Sequence, residues 1–205
     1  MKNSQIKRAG RCFVPAVKSI TPAAVLLLCA AAAPLAAQSR GDNRAPALSA
    51  DCASLEVPGG NKVSFHVYAV GVQIYRWSGS AWAFVAPAAV LYANADHDGE
   101  VGTHYAGPTW KSNSGSKVVG RKIAGCTPDA TAIPWLLLQT VTAEGPGILH
   151  RVTYIQRVNT VGGLAPTAPG TVTGEVQQVP YTAEYFFYRP AKDQTTLKVK
   201  AVHGR

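Results

Sequence analysis

Polar and apolar residues alternate through residues 62–69, with Val63, Phe65 and Val67 on one face and Ser64, His66 and Tyr68 on the other. A period of two over β-branched and aromatic side chains predicts a strand. Gly71 marks a bulge or bend in it, after which residues 72–77 continue the strand. Ser78-Gly79-Ser80 predicts a tight turn into residues 82–85, completing a hairpin. Pro87 is expected to end that strand, and residues 88–93 to form a further short one. Asn113-Ser114-Gly115 predicts another turn, leading into a strand over residues 116–123. Residues 132–141 are apolar at odd and even positions alike, the pattern of a strand buried on both faces. Gly145-Pro146-Gly147 turns the chain into residues 148–158, which read as one long strand. A Gly/Pro loop over residues 162–170 precedes a last strand, residues 179–188, dense in aromatic rings, with Pro180 near its start or on an edge.

No stretch shows three helical turns of apolar period with caps, and nothing repeats at a fixed period. Short strands separated by Gly/Pro-rich loops predict an all-β domain. A single antiparallel β-barrel and a β-sandwich both fit, and the number of short strands favours the barrel.

The N-terminus is of another kind. Residues 1–18 carry Lys2, Lys7, Arg8, Arg11 and Lys18 and no acid, residues 23–33 are wholly apolar, and Pro34-Leu35-Ala36-Ala37 leads to Gln38. A basic region, a short apolar run and small residues predict a signal peptide over residues 1–37. The apolar run falls short of the ~20 residues a membrane span needs. There is no Arg-Arg pair, and Cys29 follows Leu28 rather than the small residue of a lipid-attachment site. The expectation is a secreted or periplasmic protein with no membrane span after cleavage. Residues 38–51 lack periodicity and are expected to be a flexible linker, with order beginning near Cys52, one domain over residues 52–189 and a basic tail over residues 190–205.

Export changes what the charge means. The chain has 20 basic and 11 acidic residues, a net charge of +9. Without the five basic leader residues the balance is 15 against 11, or +4, and Lys192, Lys198, Lys200 and Arg205 lie in the tail. A nearly neutral domain offers no electrostatic footprint for nucleic acid. Two cysteines outlast the leader, Cys52 and Cys126, and an even count in an oxidising compartment predicts one disulfide between them. They have no Cys-x-x-Cys spacing that would suggest a metal instead.

Candidate chemistry concentrates in residues 102–110, Gly-Thr-His-Tyr-Ala-Gly-Pro-Thr-Trp, where glycine and proline can fix the directions of an imidazole, a phenol and an indole. His104, Tyr105 and Trp110, with Gln73 and Arg157, are the candidate ligand-binding residues, since aromatic rings and a few polar groups line small-molecule and sugar sites. Gln156 is a further polar residue of that kind. Sheet packing accounts for most of the remaining rings. Asp96, His97, Asp98 and Glu100 form the densest polar cluster, and His66, His97 and His104 with these acids hold the right atoms for zinc, copper or manganese. No strand-borne His-x-His pair supports such a site. An acid from this cluster orienting His104 would give general acid–base chemistry. No Gly-x-Ser-x-Gly elbow occurs.

Gly71-Val72-Gln73-Ile74-Tyr75, residues 102–110, 132–138, 152–158 and 181–188 together resemble the bacterial and fungal secreted family called domain of unknown function 3455, in order across residues 55–189. The resemblance implies a signal peptide, a β-rich domain and no established activity. Many members carry a cysteine two residues after the position of Tyr75 and another in the loop after Ala165-Pro166; Trp77 and Pro169-Gly170-Thr171 stand there in this chain, removing a bridge. Some relatives bear a malate dehydrogenase label. This chain has no Gly-x-Gly-x-x-Gly after a strand and no βαβ alternation, which excludes that chemistry here. The leading expectation is an exported, non-catalytic module for a small molecule or envelope glycan. The alternatives are a metal-dependent or acid–base hydrolase built on His104, and a structural envelope protein with no concave site. No cofactor is indicated.

Overall fold

The computed structural model describes residues 44–191. The expected leader, the first part of the expected linker and the tail from residue 192 lie outside the described residues. Eight strands form one antiparallel sheet: β1 (Asn61–Trp77), β2 (Trp82–Tyr92), β3 (Glu100–Tyr105), β4 (Thr109–Ser112), β5 (Lys117–Cys126), β6 (Trp135–Glu144), β7 (Tyr154–Gly162) and β8 (Val176–Pro190). Each pairs with the next in sequence, and β8 pairs with β1 from Asn61↔Pro190 to Arg76↔Val176, so the sheet closes as a barrel. Closure leaves no free edge running the length of the sheet.

Inward side chains fill much of the barrel. Val67, Ala69, Leu91, Trp110, Val118, Leu138, Ile155, Tyr185 and Phe187 belong to one buried cluster. Two residues of the β6–β7 connection, Leu149 and Val152, join the same cluster and plug the end of the barrel where β1 begins. The residues from 148 to 153 are therefore a turn-rich plug and not the first half of a long strand. Backbone bonds from His150 to Gly147 and from Val152 to Leu149 bend the chain there.

Outside the barrel runs a strap, residues 44–58, containing a 3-10 helix at Ala50–Leu55. Cys52 and Leu55 are fully buried against Leu137, and Leu48 and Val57 pack beside them. Cys52 is bonded to Cys126 with a Cα separation of 5.4 Å, inside the range a disulfide allows. The strap explains why β6 is apolar on both sides. Leu138 faces the interior, and Leu137 faces the strap. It also corrects the expected linker: ordered packing starts at Leu48, ahead of Cys52.

Three further local features differ from the expectations, each for a physical reason. Gly71 lies in an unbroken β1, where a Cβ would stand 2.1 Å from the Ala88 carbonyl oxygen of β2. It is there for close backbone approach, and the irregularity against β2 falls instead at Ile74/Tyr75. Pro87 sits within a continuous β2, paired with Gln73. β2 acquires its β3 neighbour only from Ala89 onward, so the hydrogen that Pro87 lacks costs no ladder bond. Residues 102–110 are a β-hairpin, β3 and β4, turning through Ala106, Gly107 and Pro108. Gly107 has φ of 102°, which L residues rarely adopt. Gly102 is paired strand whose missing side chain makes room for the Lys111 carbonyl.

Candidate functional site

The hairpin sets two aromatic rings side by side. His104 and Trp110 are directly opposed across β3 and β4. Such cross-strand neighbours lie close enough for their side chains to meet. Their rings stack with centroids 4.4 Å apart and planes within 8°, and Tyr185 of β8 meets both edge-on. His104 Nδ1 donates to the Thr109 carbonyl at 2.9 Å. In the neutral ring this leaves Nε2 as an acceptor. Burial pushes the His104 pKa down to about 3, reinforced by the positive charge of Arg157 and only partly opposed by the Thr109 bond. The imidazole is therefore uncharged at any ordinary pH.

These rings line a cavity of about 210 Å³ in the open end of the barrel. Gln73 of β1, Arg157 of β7 and Leu136 and Leu138 of β6 form further walls, while Phe84, Val85 and Pro87 of β2 and Gly107 and Pro108 of the hairpin turn shape the mouth. The opening follows from the strand lengths: residues 82–88 of β2 have no β3 beside them, because the short hairpin turns back at Gly107 and Pro108. Four sequence candidates thus converge, Gln73, His104, Trp110 and Arg157. Tyr105 does not join them. It follows His104 in a strand, so its side chain takes the opposite face, and it is 38 % exposed. Gln156 likewise faces the strap, where its Nε2 donates to the Leu55 carbonyl and its Oε1 accepts from Tyr188. Tyr185 and Lys122 line the cavity without having been singled out in the sequence. Period-two alternation around Phe187 and Leu138 was the available signal for Tyr185, whereas none pointed to Lys122.

The polar groups of the cavity are incompletely satisfied. Gln73 Nε2, Trp110 Nε1 and the Tyr185 hydroxyl are buried without a hydrogen-bond partner. The Tyr185 phenol, its pKa raised by burial, stays protonated. Arg157 is half-buried, and its Nε and Nη2 donate to the Pro134 carbonyl at 3.1 and 2.7 Å. A buried donor without an acceptor is costly, so several gathered around one cavity call for an explanation.

The metal candidates do not assemble. His66 lies on the outer wall, stacked on Phe186 and bonded through Nε2 to Glu184 at 2.7 Å. His97 sits in the β2–β3 loop at φ 61°, its ring against Tyr92, while His104 is interior. Among the described residues no group of three His, Cys, Asp or Glu side chains is placed to hold a metal. Glu100 is four residues from His104 along β3, ~13 Å at the usual strand rise, and no carboxylate lines the cavity. The partner that orients His104 is the Thr109 carbonyl, not an acid of the Asp96–Glu100 cluster, the alternative that acid–base chemistry would need.

A Cβ on Gly170 would fall 2.5 Å from the Trp77 ring, so the indole occupies the space between these two positions. A family model described as Protein of unknown function (DUF3455) matches residues 58–189. No curated protein and no solved structure matches the chain.

Proposed function

The chain belongs to the DUF3455 family, proteins of unknown function, and we propose that this member is an exported, non-catalytic module that holds a small molecule in the mouth of its barrel. The observation that carries this reading is the gathering of three partnerless buried donors, on Gln73, Trp110 and Tyr185, around one cavity. Ligand sites are concave, mostly apolar and furnished with a few polar groups, and this cavity has that composition. A cavity of about 210 Å³ suits a small molecule better than a length of envelope glycan, which needs an open groove. Export is supported by the leader-like residues 1–37 and by the Cys52–Cys126 bond. A hydrolase is disfavoured because His104 is neutral, has no carboxylate partner and shares the cavity with no Ser, Thr or Cys side chain. A purely structural role leaves the partnerless donors unexplained.

The test is a ligand-observed NMR screen with small neutral and charged fragments, mapped on the protein by the Trp110 indole resonance. Binding fragments are expected to shift that resonance. Leu136→Trp, which fills the cavity from a half-buried wall position, should abolish the shifts while the thermal transition stays cooperative. Fragments that leave Trp110 untouched, or that bind folded Leu136→Trp equally well, would refute the proposal.

A further inference from the structure

We infer that the cavity is built for a small amphipathic anion, a monocarboxylate whose head meets Arg157 and whose apolar body lies against Trp110, Leu136 and Leu138. The inference rests on the reading above that the cavity holds a ligand, and adds the kind.

Arg157 decides the sign of the charge. Its guanidinium is half-buried in the wall and tied by Nε and Nη2 to one neutral carbonyl, that of Pro134. This fixes the group without neutralising it, and its other polar neighbour is the uncharged Tyr185 hydroxyl. Among the described residues no carboxylate pairs with Arg157, and none lines the cavity. A cation drawn partly out of water without a counter-ion is unfavourable, and an anion supplied by a ligand removes that cost. The other charged lining residue is also a cation, Lys122, exposed at the rim.

Apart from the His104 Nε2 acceptor, the neutral groups agree with the charge. Guanidinium, ammonium and indole N–H only donate, and the Gln73 amide and Tyr185 hydroxyl add two more buried donors. A carboxylate, which only accepts, is their complement, and its bonds to charged donors are stronger than neutral ones. The remaining wall is hydrocarbon: Phe84, Val85, Pro87, Pro108 and the two leucines. An inorganic anion would leave that surface wet. The volume lies below the ~300–1,000 Å³ usual for drug-sized ligands, which sets the scale at one ring or a short branched chain.

The test titrates the purified protein, disulfide intact, with phenylacetate, its neutral isostere phenylacetamide and the cation 2-phenylethylamine, following the Trp110 indole resonance. Phenylacetate should bind at least about tenfold tighter than the amide, and the amine should not bind. Lys122→Gln should lower the acid-to-amide ratio a few-fold, and Arg157→Gln should bring it close to one. Arg157→Lys keeps the charge and should retain part of the preference. Because Arg157 also holds Pro134, thermal unfolding is recorded for each variant, and the ratio on the unaltered protein decides the matter even where a variant fails to fold. An amide that binds as tightly as the acid overturns the anion assignment and leaves the ligand cavity standing. So does silence from all three probes while neutral fragments still shift Trp110. Silence from every compound overturns the ligand reading itself, and this inference with it.

Discussion

At the scale of the residue, His104 shows how little a side chain's chemistry says before its surroundings are known. It is buried and bonded, as a structural histidine would be, and it also lines the cavity. An unfolded histidine titrates near pH ~6.5, while His104 in the fold stays neutral down to about 3. Below pH ~6.5 the unfolded chain takes up a proton that the fold refuses. His104 therefore leaves stability undiminished above that pH and erodes it as pH falls towards 3, by up to about 1.4 kcal/mol per unit. His104→Asn, whose amide can still donate to the Thr109 carbonyl, should flatten the acid limb of urea midpoint against pH; an unchanged slope would show that other groups set it. Tyr185→Phe removes a hydroxyl that has no partner. Its unfolding free energy should stay equal or rise by up to ~1 kcal/mol, while phenylacetate binding weakens. A loss of stability larger than that would mean the hydroxyl has an acceptor in the unliganded fold. Gln73, His104, Trp110 and Arg157 were legible in the sequence because each is a polar or aromatic residue set in a strand or turn. Tyr105 was misplaced because a motif read as a block ignores the alternation that separates it from His104.

At the scale of the element, the signals that survived were those with local causes. Gly79 (φ 99°) and Gly115 (φ 91°) mark the turns that Ser78-Gly79-Ser80 and Asn113-Ser114-Gly115 predicted. Pro87 and Gly71 misled for one reason. Each answers to a neighbouring strand, absent beside Pro87 and very close at Gly71, and neighbours cannot be read from one strand's own sequence. The strap is the same case, since residues 44–51 look featureless until Leu48 and Leu55 are seen against β6 and Gln156 against the Leu55 carbonyl. Its anchor spans 74 residues between Cys52 and Cys126, so the chain-entropy contribution of the bond is ~4 kcal/mol. The double variant Cys52→Ser, Cys126→Ser should lose about that much in equilibrium denaturation and gain fast hydrogen exchange at residues 135–139, which the strap covers. If exchange there stays slow, packing alone holds the strap.

At the scale of the whole molecule, the barrel divides its labour between its ends. Leu149 and Val152 close one, and the other keeps a cavity with donors that the fold does not satisfy. All-β character was legible from period-two runs and frequent turns, and the number of short strands favoured a barrel, but the pairing that closes it joins the first strand to the last and is written in neither alone. That pairing runs from Asn61↔Pro190 to Arg76↔Val176, and it has a consequence in time. A ribosome delivers β1 long before β8, and contacts so distant in sequence form late and slowly. Until then the 17-residue edge of β1 stays open to any other extended chain. A chain ending at Glu175 should therefore give no cooperative unfolding transition and should aggregate, although it keeps seven of the eight strands; a soluble, cooperatively unfolding fragment would contradict this. The barrel is thus a fold made only after β8 has been delivered, and under the export proposed above the chain has reason to stay unfolded until that last strand has crossed.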